Sequence, residues 1–290
     1  GNLLKSLNRT KYLQLLLLPG LIYYIIFHYV PMYGVIIAFK DYKIRAGILG
    51  SPWVGFKHFL EFFRYMHCGR IIVNTILLNL YNLIFGFPMP IIFAILLNEV
   101  RNLRYKKFVQ TVSYLPHFIS TVSIVGILFM VLSPNGGIVN IIIQKLGGTP
   151  IYFMTESKWF RTIYVASGVW QNLGWDAIIY IAALAGVNQE LYEAAVIDGA
   201  SRFKQTIHIT LPGILPTIML VTLLNIGGVM NANFDQVYNL YSPTVYASGD
   251  VLDTLIYRIG LVQTNYSMST AVSLFKSVVS MGMVGTCYYL

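Results

Sequence analysis

The sequence predicts an all-α integral membrane protein with six transmembrane helices. Apolar residues make up 56% of the chain and charged residues 11%, whereas a soluble domain has roughly 45–50% and about 25%. Four stretches lack Asp, Glu, Lys and Arg over more than the roughly 20 residues that cross a bilayer as a helix; they are residues 12–39, 71–98, 108–144 and 205–234. Two further stretches contain one charged residue each, Asp176 within 162–189 and Lys276 within 259–290. Six crossings place both termini on one side of the membrane.

The first apolar stretch is expected to remain in the mature protein, because it is too long for a signal peptide and no small-residue cleavage pattern follows it. We therefore expect residues 1–70 to form an N-terminal cytoplasmic segment, transmembrane helix 1 and the first outer loop, and residues 71–290 to form a five-helix core. The chain starts without Met and stops inside an apolar run, so we expect further residues at one or both ends. Prolines predict kinks in most helices; they are Pro19, Pro31, Pro88, Pro90, Pro116 and Pro216.

Charge alone does not orient the chain. Lysines and arginines are almost equally divided between the two predicted sides, so the preference of basic loops for the cytoplasm does not decide the topology. Only the compact basic cluster at 101–107, in a very short loop, favours placing its side, with Lys5 and Arg9, in the cytoplasm.

A short polar segment, residues 193–212, separates the fourth and fifth apolar stretches. Residues 190–198 have a helical composition, Gly199 suits a tight turn, and Ser201 suits the cap of a second short helix that runs to about His208. Pro212 suits the first turn of the next membrane helix. The sequence thus predicts two short helices that meet at a glycine elbow, residues 190–212, outside the membrane. Such a rigid amphipathic elbow can transmit force into the fifth membrane helix.

The elbow carries a recognisable pattern. Glu193-Ala194-Ala195, three residues, Gly199, nine residues and then Ile209-Thr210-Leu211-Pro212 resemble the E-A-A signature of permease subunits in binding-protein-dependent ABC importers. Further positions resemble the carbohydrate-importing branch that takes complex oligosaccharides and polysaccharides; they are Leu191-Tyr192, residues 197–200, Pro216 and residues 53–59 in the first outer loop. One departure is Asn188, where this branch often has proline.

The resemblance implies a type I ABC importer permease fold, in which the elbow is a cytoplasmic coupling helix between helices 4 and 5 that lies in a cleft of an ATPase. The implied roles are docking for Glu193, Ala194 and Ala195, turning for Gly199, and transmission into helix five for Ile209, Leu211 and Pro212. The implied location is the cytoplasmic membrane of a prokaryote, with both termini cytoplasmic. The implied partners are a second homologous permease in a heterodimer, two ATPase subunits and an extracytoplasmic solute-binding protein.

The chain itself is expected not to be an enzyme. It contains no G-x-x-x-x-G-K-[ST] phosphate loop, so ATP and Mg²⁺ would be bound by the partner ATPase and we expect no cofactor in this chain. No catalytic or metal-ligand constellation is recognisable, and we interpret Cys68 and Cys287 as apolar filler because they fit no metal or redox spacing. No nucleic acid partner is expected.

Candidate substrate-pathway residues are polar or aromatic side chains inside the apolar stretches. Sugars bind in concave sites through aromatic stacking and hydrogen bonds from amides and carboxylates, and polar groups at membrane depth are costly unless they face an interior or a wet cavity. The candidates are Trp170, Gln171, Trp175, Asp176, Asn225, Asn231, Asn233 and Lys276. The alternative is that the tryptophans anchor at the interface and the amides bond between helices. For Lys276 we expect an ion pair with Asp176, with contact to an anionic substrate or snorkelling as alternatives.

The resemblance indicates ATP-driven import of oligosaccharides by alternating access. Basic residues of the first outer loop fit an acidic, polysaccharide-derived sugar, anionic lipid headgroups or an acidic face of the binding protein; they are Lys40, Lys43, Arg45, Lys57, Arg64 and Arg70. The alternative functions are an ABC permease for another solute such as peptides, and a secondary carrier or channel that works alone.

Overall fold

A computed structural model describes residues 11–289, and these residues are helical with no β-strand beyond one isolated bridge between Lys40 and Trp53. The helices, in chain order, are α1 (11–39), α2 (Lys57–Arg64), α3 (Cys68–Asn98), α4 (Leu103–Phe118), α5 (Thr121–Val131), α6 (Ile138–Lys145), α7 (Ser157–Ala185), α8 (Gln189–Ile197), α9 (Arg202–Gly227), α10 (Phe234–Leu240), α11 (Leu252–Tyr257) and α12 (Tyr266–Tyr289). Shorter turns lie at Gly47–Gly50, Pro243–Val245, Tyr246–Gly249 and Arg258–Val262.

Four described helices are long and apolar enough to cross a membrane, namely Gln14–Phe39, Cys68–Asn98, Arg202–Gly227 and Tyr266–Thr286. The bent pair α4 and α5 makes a fifth candidate. Helix α7 has the required length but carries Lys158, Arg161 and Asp176. The predicted count of six crossings therefore stays a prediction. Lys5, Arg9 and the N-terminal cytoplasmic segment they belong to lie outside the described residues, as does the side chain of Cys287.

The third apolar stretch differs from its prediction as a single crossing. Helices α4 and α5 meet at an angle of 102°. Pro116 lies in a tight 3₁₀ turn, Leu115–Phe118, where its missing N–H cannot continue the α-helical hydrogen bonds. Ser120 then starts α5 as its cap, because its hydroxyl accepts a hydrogen bond from the Ser123 N–H at 3.3 Å. The kink predicted at Pro116 is therefore present, but the sequence did not predict that it turns the chain through 102°.

The chain divides into two compact units by its internal contacts. The first comprises the residues up to Met66 together with Ile256–Phe275. Within it, the Phe39 and Trp53 rings stack 5.7 Å apart, and the Ser267 hydroxyl donates to the Lys40 carbonyl at 2.7 Å. These contacts hold the segment that follows α1 against the beginning of α12. The predicted division at residue 70 concerned membrane topology and stays a prediction.

The second unit comprises His67–Leu255 and Lys276–Leu290. Helix α7 contributes to both of its apolar clusters, with Phe160 and Tyr164 in one and Tyr180 and Leu184 in the other. Gly174 of α7 allows close approach of α4, since a Cβ at this position would overlap the backbone of Ser113. Small residues permit such close helix packing in lipid. Helix α7 therefore contacts both apolar clusters of this unit and packs closely against α4.

Candidate functional site

The first arm of the elbow is helix α8. Asn188 caps it, because its side-chain oxygen accepts a hydrogen bond from the Glu190 N–H at 3.0 Å. The helix ends at Gly199, whose φ is +73°, with the Ala200 N–H bonded to the Ala195 carbonyl at 2.8 Å and the Gly199 N–H bonded to the Val196 carbonyl at 3.1 Å. This Schellman arrangement needs a left-handed residue, for which glycine has no Cβ penalty. The cap at Asn188 explains why proline is not required there.

The second arm does not end near His208 as predicted. Ser201 caps its start, accepting from the Lys204 N–H at 3.4 Å, and the helix then runs without a break into the membrane segment of α9 through a wide π-helical turn, Thr206–Thr210. That extra residue in the turn accommodates Pro212, whose ring otherwise clashes with the carbonyl four residues earlier. The elbow is thus continuous with the fifth membrane helix instead of being joined to it by a loop.

Side-chain bonds lock the two arms together. The Tyr192 hydroxyl and the Thr210 hydroxyl lie 2.9 Å apart, and the Gln205 amide donates to the Ala200 carbonyl at 2.9 Å. Thr210 and Gln205 are buried. Because these bonds are sheltered from water, they keep the angle between α8 and α9 fixed.

The outer face of the elbow is apolar and exposed. Ile197 is 86% exposed and Phe203 is 73% exposed, and Leu191 and Val196 are exposed beside them. Of the predicted docking residues, Glu193 and Ala194 are exposed and Ala195 is half-buried. An exposed apolar patch with a charged rim is typical of a protein contact surface. Sequence reasoning missed Ile197 and Phe203 in this role, although large apolar residues next to Asp198 and Arg202 were a signal for it.

The residues predicted to transmit motion lie at the start of the membrane segment. Ile209 is half-buried, whereas Leu211 and Pro212 are exposed. The Arg202 guanidinium also lies 3.4 Å from the Glu99 carboxylate, on the loop between α3 and α4. The second arm therefore contacts a neighbouring loop as well as continuing into α9.

A cavity of about 590 Å³ lies within the second unit and contacts α3, α7, α9 and α10. Its lining is rich in side-chain amides and aromatic rings, and the polar and aromatic members are Asn79, Asn82, Phe87, Tyr164, Asn172, Trp175, Asp176, Tyr180, Asn225, Asn231, Asn233 and Gln236. Five of the eight predicted substrate-pathway residues are among them, namely Trp175, Asp176, Asn225, Asn231 and Asn233. Amides supply both donors and acceptors, and ring faces supply apolar contact, so the arrangement suits a polyhydroxylated ligand.

The other three predicted residues lie elsewhere. Trp170 is about half exposed and does not line the cavity. The Gln171 amide donates to the Ile119 carbonyl at 3.2 Å, at the break between α4 and α5. Lys276 forms an ion pair with Asp253, not with Asp176 as predicted. Asp253 lies outside all six apolar stretches, so the sequence did not suggest it as a partner, whereas the structure places it in α11 within reach of α12.

Six polar lining residues are not among the eight predicted ones, namely Asn79, Asn82, Tyr164, Asn172, Tyr180 and Gln236. Asn79 and Asn82 were detectable in principle, because two amides three residues apart in an apolar stretch lie on one helical face and are costly in lipid. The Gln236 amide, by contrast, donates to the Tyr164 carbonyl at 2.8 Å and to the Ser167 hydroxyl at 2.9 Å. Its place depends on tertiary packing that spacing does not reveal.

Residues 86–280 match the family described as binding-protein-dependent transport system inner membrane component. The chain belongs to this family. It is the permease of an ABC importer, as the elbow pattern had indicated, and the predicted all-helical permease fold is confirmed. Membership places the chain among integral inner-membrane transport subunits.

Two relatives of this permease come from Bacillus subtilis (strain 168). Protein LplB is 45% identical over 98% of this chain and 90% of its own length. The polygalacturonan/rhamnogalacturonan transport system permease protein YteP is 45% identical over 97% of this chain and 88% of its own length.

The permease also matches solved structures. A chain of a bacterial ABC transporter involved in the import of the acidic polysaccharide alginate is 40% identical, with a TM-score of 0.92, and the match covers 100% of this chain and 98% of that one. A chain of a bacterial alginate ABC transporter in complex with an alginate pentasaccharide-bound periplasmic protein is 41% identical, with a TM-score of 0.90 over 98% and 95% of the two chains.

Proposed function

We propose that this permease imports oligosaccharides of an acidic, polysaccharide-derived class, and that the sugar passes through the cavity of the second unit. The observation that carries the proposal is the lining itself, in which six asparagines and Gln236 surround Trp175 and two tyrosines. Amides satisfy sugar hydroxyls, and aromatic faces stack on the apolar faces of sugar rings. Such a density of amides at membrane depth is costly unless they face a wet pathway.

The charge of the sugar is proposed on two grounds. The alginate transporter chain, whose polysaccharide is acidic, resembles this permease over its whole length. The first outer loop of this chain carries Lys40, Lys43, Arg45, Lys57 and Arg64, which would attract an anion toward the outer entrance.

The proposed mechanism is alternating access powered by separate ATPase subunits. Two ATPase subunits would bind ATP and Mg²⁺, and one of them would contact the exposed face of this elbow through Glu193, Ala194 and the apolar patch around Ile197. Their closure would tilt α8 and α9 together, since Tyr192 and Thr210 bond the two arms, and Ile209, Leu211 and Pro212 would carry the motion into the membrane. A second homologous permease and a solute-binding protein complete the proposed assembly in a prokaryotic cytoplasmic membrane, with both termini cytoplasmic. The chain itself is proposed to be non-catalytic.

Uptake by the reconstituted complex tests the substrate class. The permease, its partner permease, the ATPase and the binding protein are placed in liposomes with internal ATP, and uptake of a labelled uronate pentasaccharide is competed with unlabelled uronate or neutral pentasaccharides. We expect only the uronate sugars to compete at similar concentrations. Equal competition by neutral sugars would contradict an acidic substrate. If peptides stimulate ATP hydrolysis by the complex and no sugar does, oligosaccharide import is contradicted.

Substitution of Gly199 tests the coupling role of the elbow. The Gly199 φ of +73° costs a β-branched residue roughly 1–2 kcal/mol, while the space around it is open. We therefore expect Gly199→Val to deform the turn, leave the permease in the membrane and lower substrate-stimulated ATPase at least tenfold. Gly199→Asn is the matched control, because asparagine tolerates this conformation. Stimulation in the valine variant equal to that of the control would refute the role.

A further inference from the structure

We propose that His117 is a positioning residue for the sugar, which holds Trp175 and Asn172 in their orientation toward the cavity. The proposal rests on the proposed function of that cavity as the sugar pathway. His117 itself does not line the cavity, whereas both of the side chains that it contacts do. Its effect on the sugar would therefore be exerted through them.

The first contact is with Trp175. The His117 and Trp175 rings are stacked, with centroids 4.4 Å apart and planes inclined by 3°. Phe118 packs edge-on against the same indole, 5.8 Å away and at 84°. His117 thus covers one indole face and Phe118 limits rotation of the ring. The face that remains open is the one available for stacking on a sugar.

The second contact is with Asn172. The His117 Nδ1 lies 3.0 Å from the Asn172 Oδ1, and the Asn172 Nδ2 donates to the Gly168 carbonyl at 3.1 Å. Since Oδ1 can only accept, this network assigns a proton to the His117 Nδ1. The bonds fix which end of the amide points toward His117. One N–H of Asn172 and one lone pair of its Oδ1 are left for a ligand.

The position of His117 is in turn set by the break between α4 and α5. His117 lies in the 3₁₀ turn that contains Pro116, and the chain changes direction by 102° directly after it. Gln171 donates to the Ile119 carbonyl just beyond the turn, which fastens the break to α7. A straight helix would carry residue 117 in a regular helical turn without these contacts. The break therefore places His117 against Trp175 and Asn172, two of the side chains that line the cavity.

Three variants separate the two contacts. His117→Phe keeps the stacking and removes the hydrogen bond, His117→Asn keeps a hydrogen-bonding group and removes the stacking, and His117→Ala removes both. In the reconstituted complex we expect the KM for uronate pentasaccharide uptake to rise about tenfold in the alanine variant, the size of one lost contact of this kind. We expect a smaller rise in the other two, with kcat within twofold of the unsubstituted complex.

Asn172→Ala provides the coupling test. If His117 acts through Asn172, the KM of the double variant with His117→Phe should equal that of Asn172→Ala alone. Trp170→Phe is the matched control, because Trp170 lies on the same helix outside the cavity, and its KM should not change.

The outcomes distinguish the proposals. The role of His117 is overturned if the KM is unchanged in all three His117 variants. It is also overturned if kcat falls only in proportion to the loss of assembled complex. Neither result contradicts the proposed sugar transport. Independent effects of His117→Phe and Asn172→Ala also overturn it. Failure of the unsubstituted complex to transport any sugar overturns the proposed function first, and the inference with it. If His117→Ala does not assemble, the KM values of His117→Phe and His117→Asn test the role of His117.

Discussion

At the scale of single residues, the ion pair between Lys276 and Asp253 buries two charges within the second unit. Both side chains are only 15% exposed, and the Asp253 Oδ2 is buried without a hydrogen-bond partner among the described residues. Removing charges from water is expensive, and their attraction offsets this cost only while both partners are present. The pair is therefore a point at which one substitution has a large effect.

We predict that Lys276→Met destabilises the permease by about 3–5 kcal/mol, because it leaves the Asp253 carboxylate buried and unpaired. Adding Asp253→Leu should restore most of the loss, since both buried charges are then gone. Thermal unfolding of the purified complex measures the effect. Lys158→Met is the control, because the ion pair of Lys158 with Glu156 is largely exposed and such pairs contribute less than about 1 kcal/mol. An equal effect of the two lysine substitutions would contradict the prediction.

The sequence did not predict which residue forms the ion pair with Lys276. Lys276 was recognisable as a lone cation in an apolar stretch, but its partner lies 23 residues earlier across a turn in which Thr264 has a φ of 56°. Neither composition nor period specifies where such a turn reverses the chain. The cost of an unpaired charge was predictable, and the identity of its partner was not.

At the scale of elements, the packing of α4 against α7 depends on one position. A Cβ on Gly174 would overlap the Ser113 backbone and meet the Tyr114 ring, whereas a Cβ on Gly126 of α5 would meet nothing within 4 Å. The two glycines look alike in the sequence, since each lies inside an apolar stretch. Only the close approach at Gly174 makes glycine obligatory there.

We predict that Gly174→Ala forces α4 and α7 apart and destabilises the permease by about 1–3 kcal/mol, the usual range for overpacking. Gly126→Ala should be neutral or stabilising by up to about 1 kcal/mol, because alanine is the better helix former. The midpoint of thermal unfolding of the purified complex compares the two. A loss of stability for Gly126→Ala as large as that for Gly174→Ala would show that the close approach of α4 at Gly174 does not decide the outcome.

Elements that are local in sequence were predicted well. The start of α8, the turn at Gly199 and the cap at Ser201 were all predicted, because capping and left-handed turns depend on a few adjacent residues. A kink at Pro116 was predicted, but neither its size nor the merging of the second arm with α9 was. Both depend on how a proline is accommodated, either by a 3₁₀ turn at Pro116 or by a π turn before Pro212, and this depends on packing.

At the scale of the whole molecule, the side of the membrane on which each loop lies stays a prediction from the elbow and the basic cluster at 101–107. Leu146 lies between the third and fourth predicted crossings, which places it on the side opposite this cluster. We predict that Arg104→Cys reacts with a membrane-impermeant maleimide only in inverted vesicles, and Leu146→Cys only in intact cells or spheroplasts. Both positions are exposed. The background carries Cys68→Ala and Cys287→Ala so that each label reports one site. The reverse labelling pattern would contradict the cytoplasmic placement of the elbow.

The cavity illustrates the limit of sequence reasoning at this scale. The elbow could be read from twenty adjacent residues, but the cavity is assembled from side chains on α3, α7, α9 and α10. Asn225 of α9, and Asn231 and Asn233 in the segment between α9 and α10, were predicted because each is conspicuous in an apolar stretch. Which of them face one another follows from the packing of helices around α7, and a single sequence does not specify that packing.

The unbroken passage from the second arm into α9 has a mechanical consequence. Phe203 on the exposed face of the elbow and Asn225 at the cavity belong to one helix. They are separated along it by about 30 Å, from a rise of 1.5 Å per residue. A tilt of only about 5° at the elbow would sweep Asn225 through about 3 Å, which is the length of one hydrogen bond. Under the proposed mechanism, a small displacement of the ATPase at the elbow would therefore be enough for the Asn225 amide to release one sugar hydroxyl and bind the next.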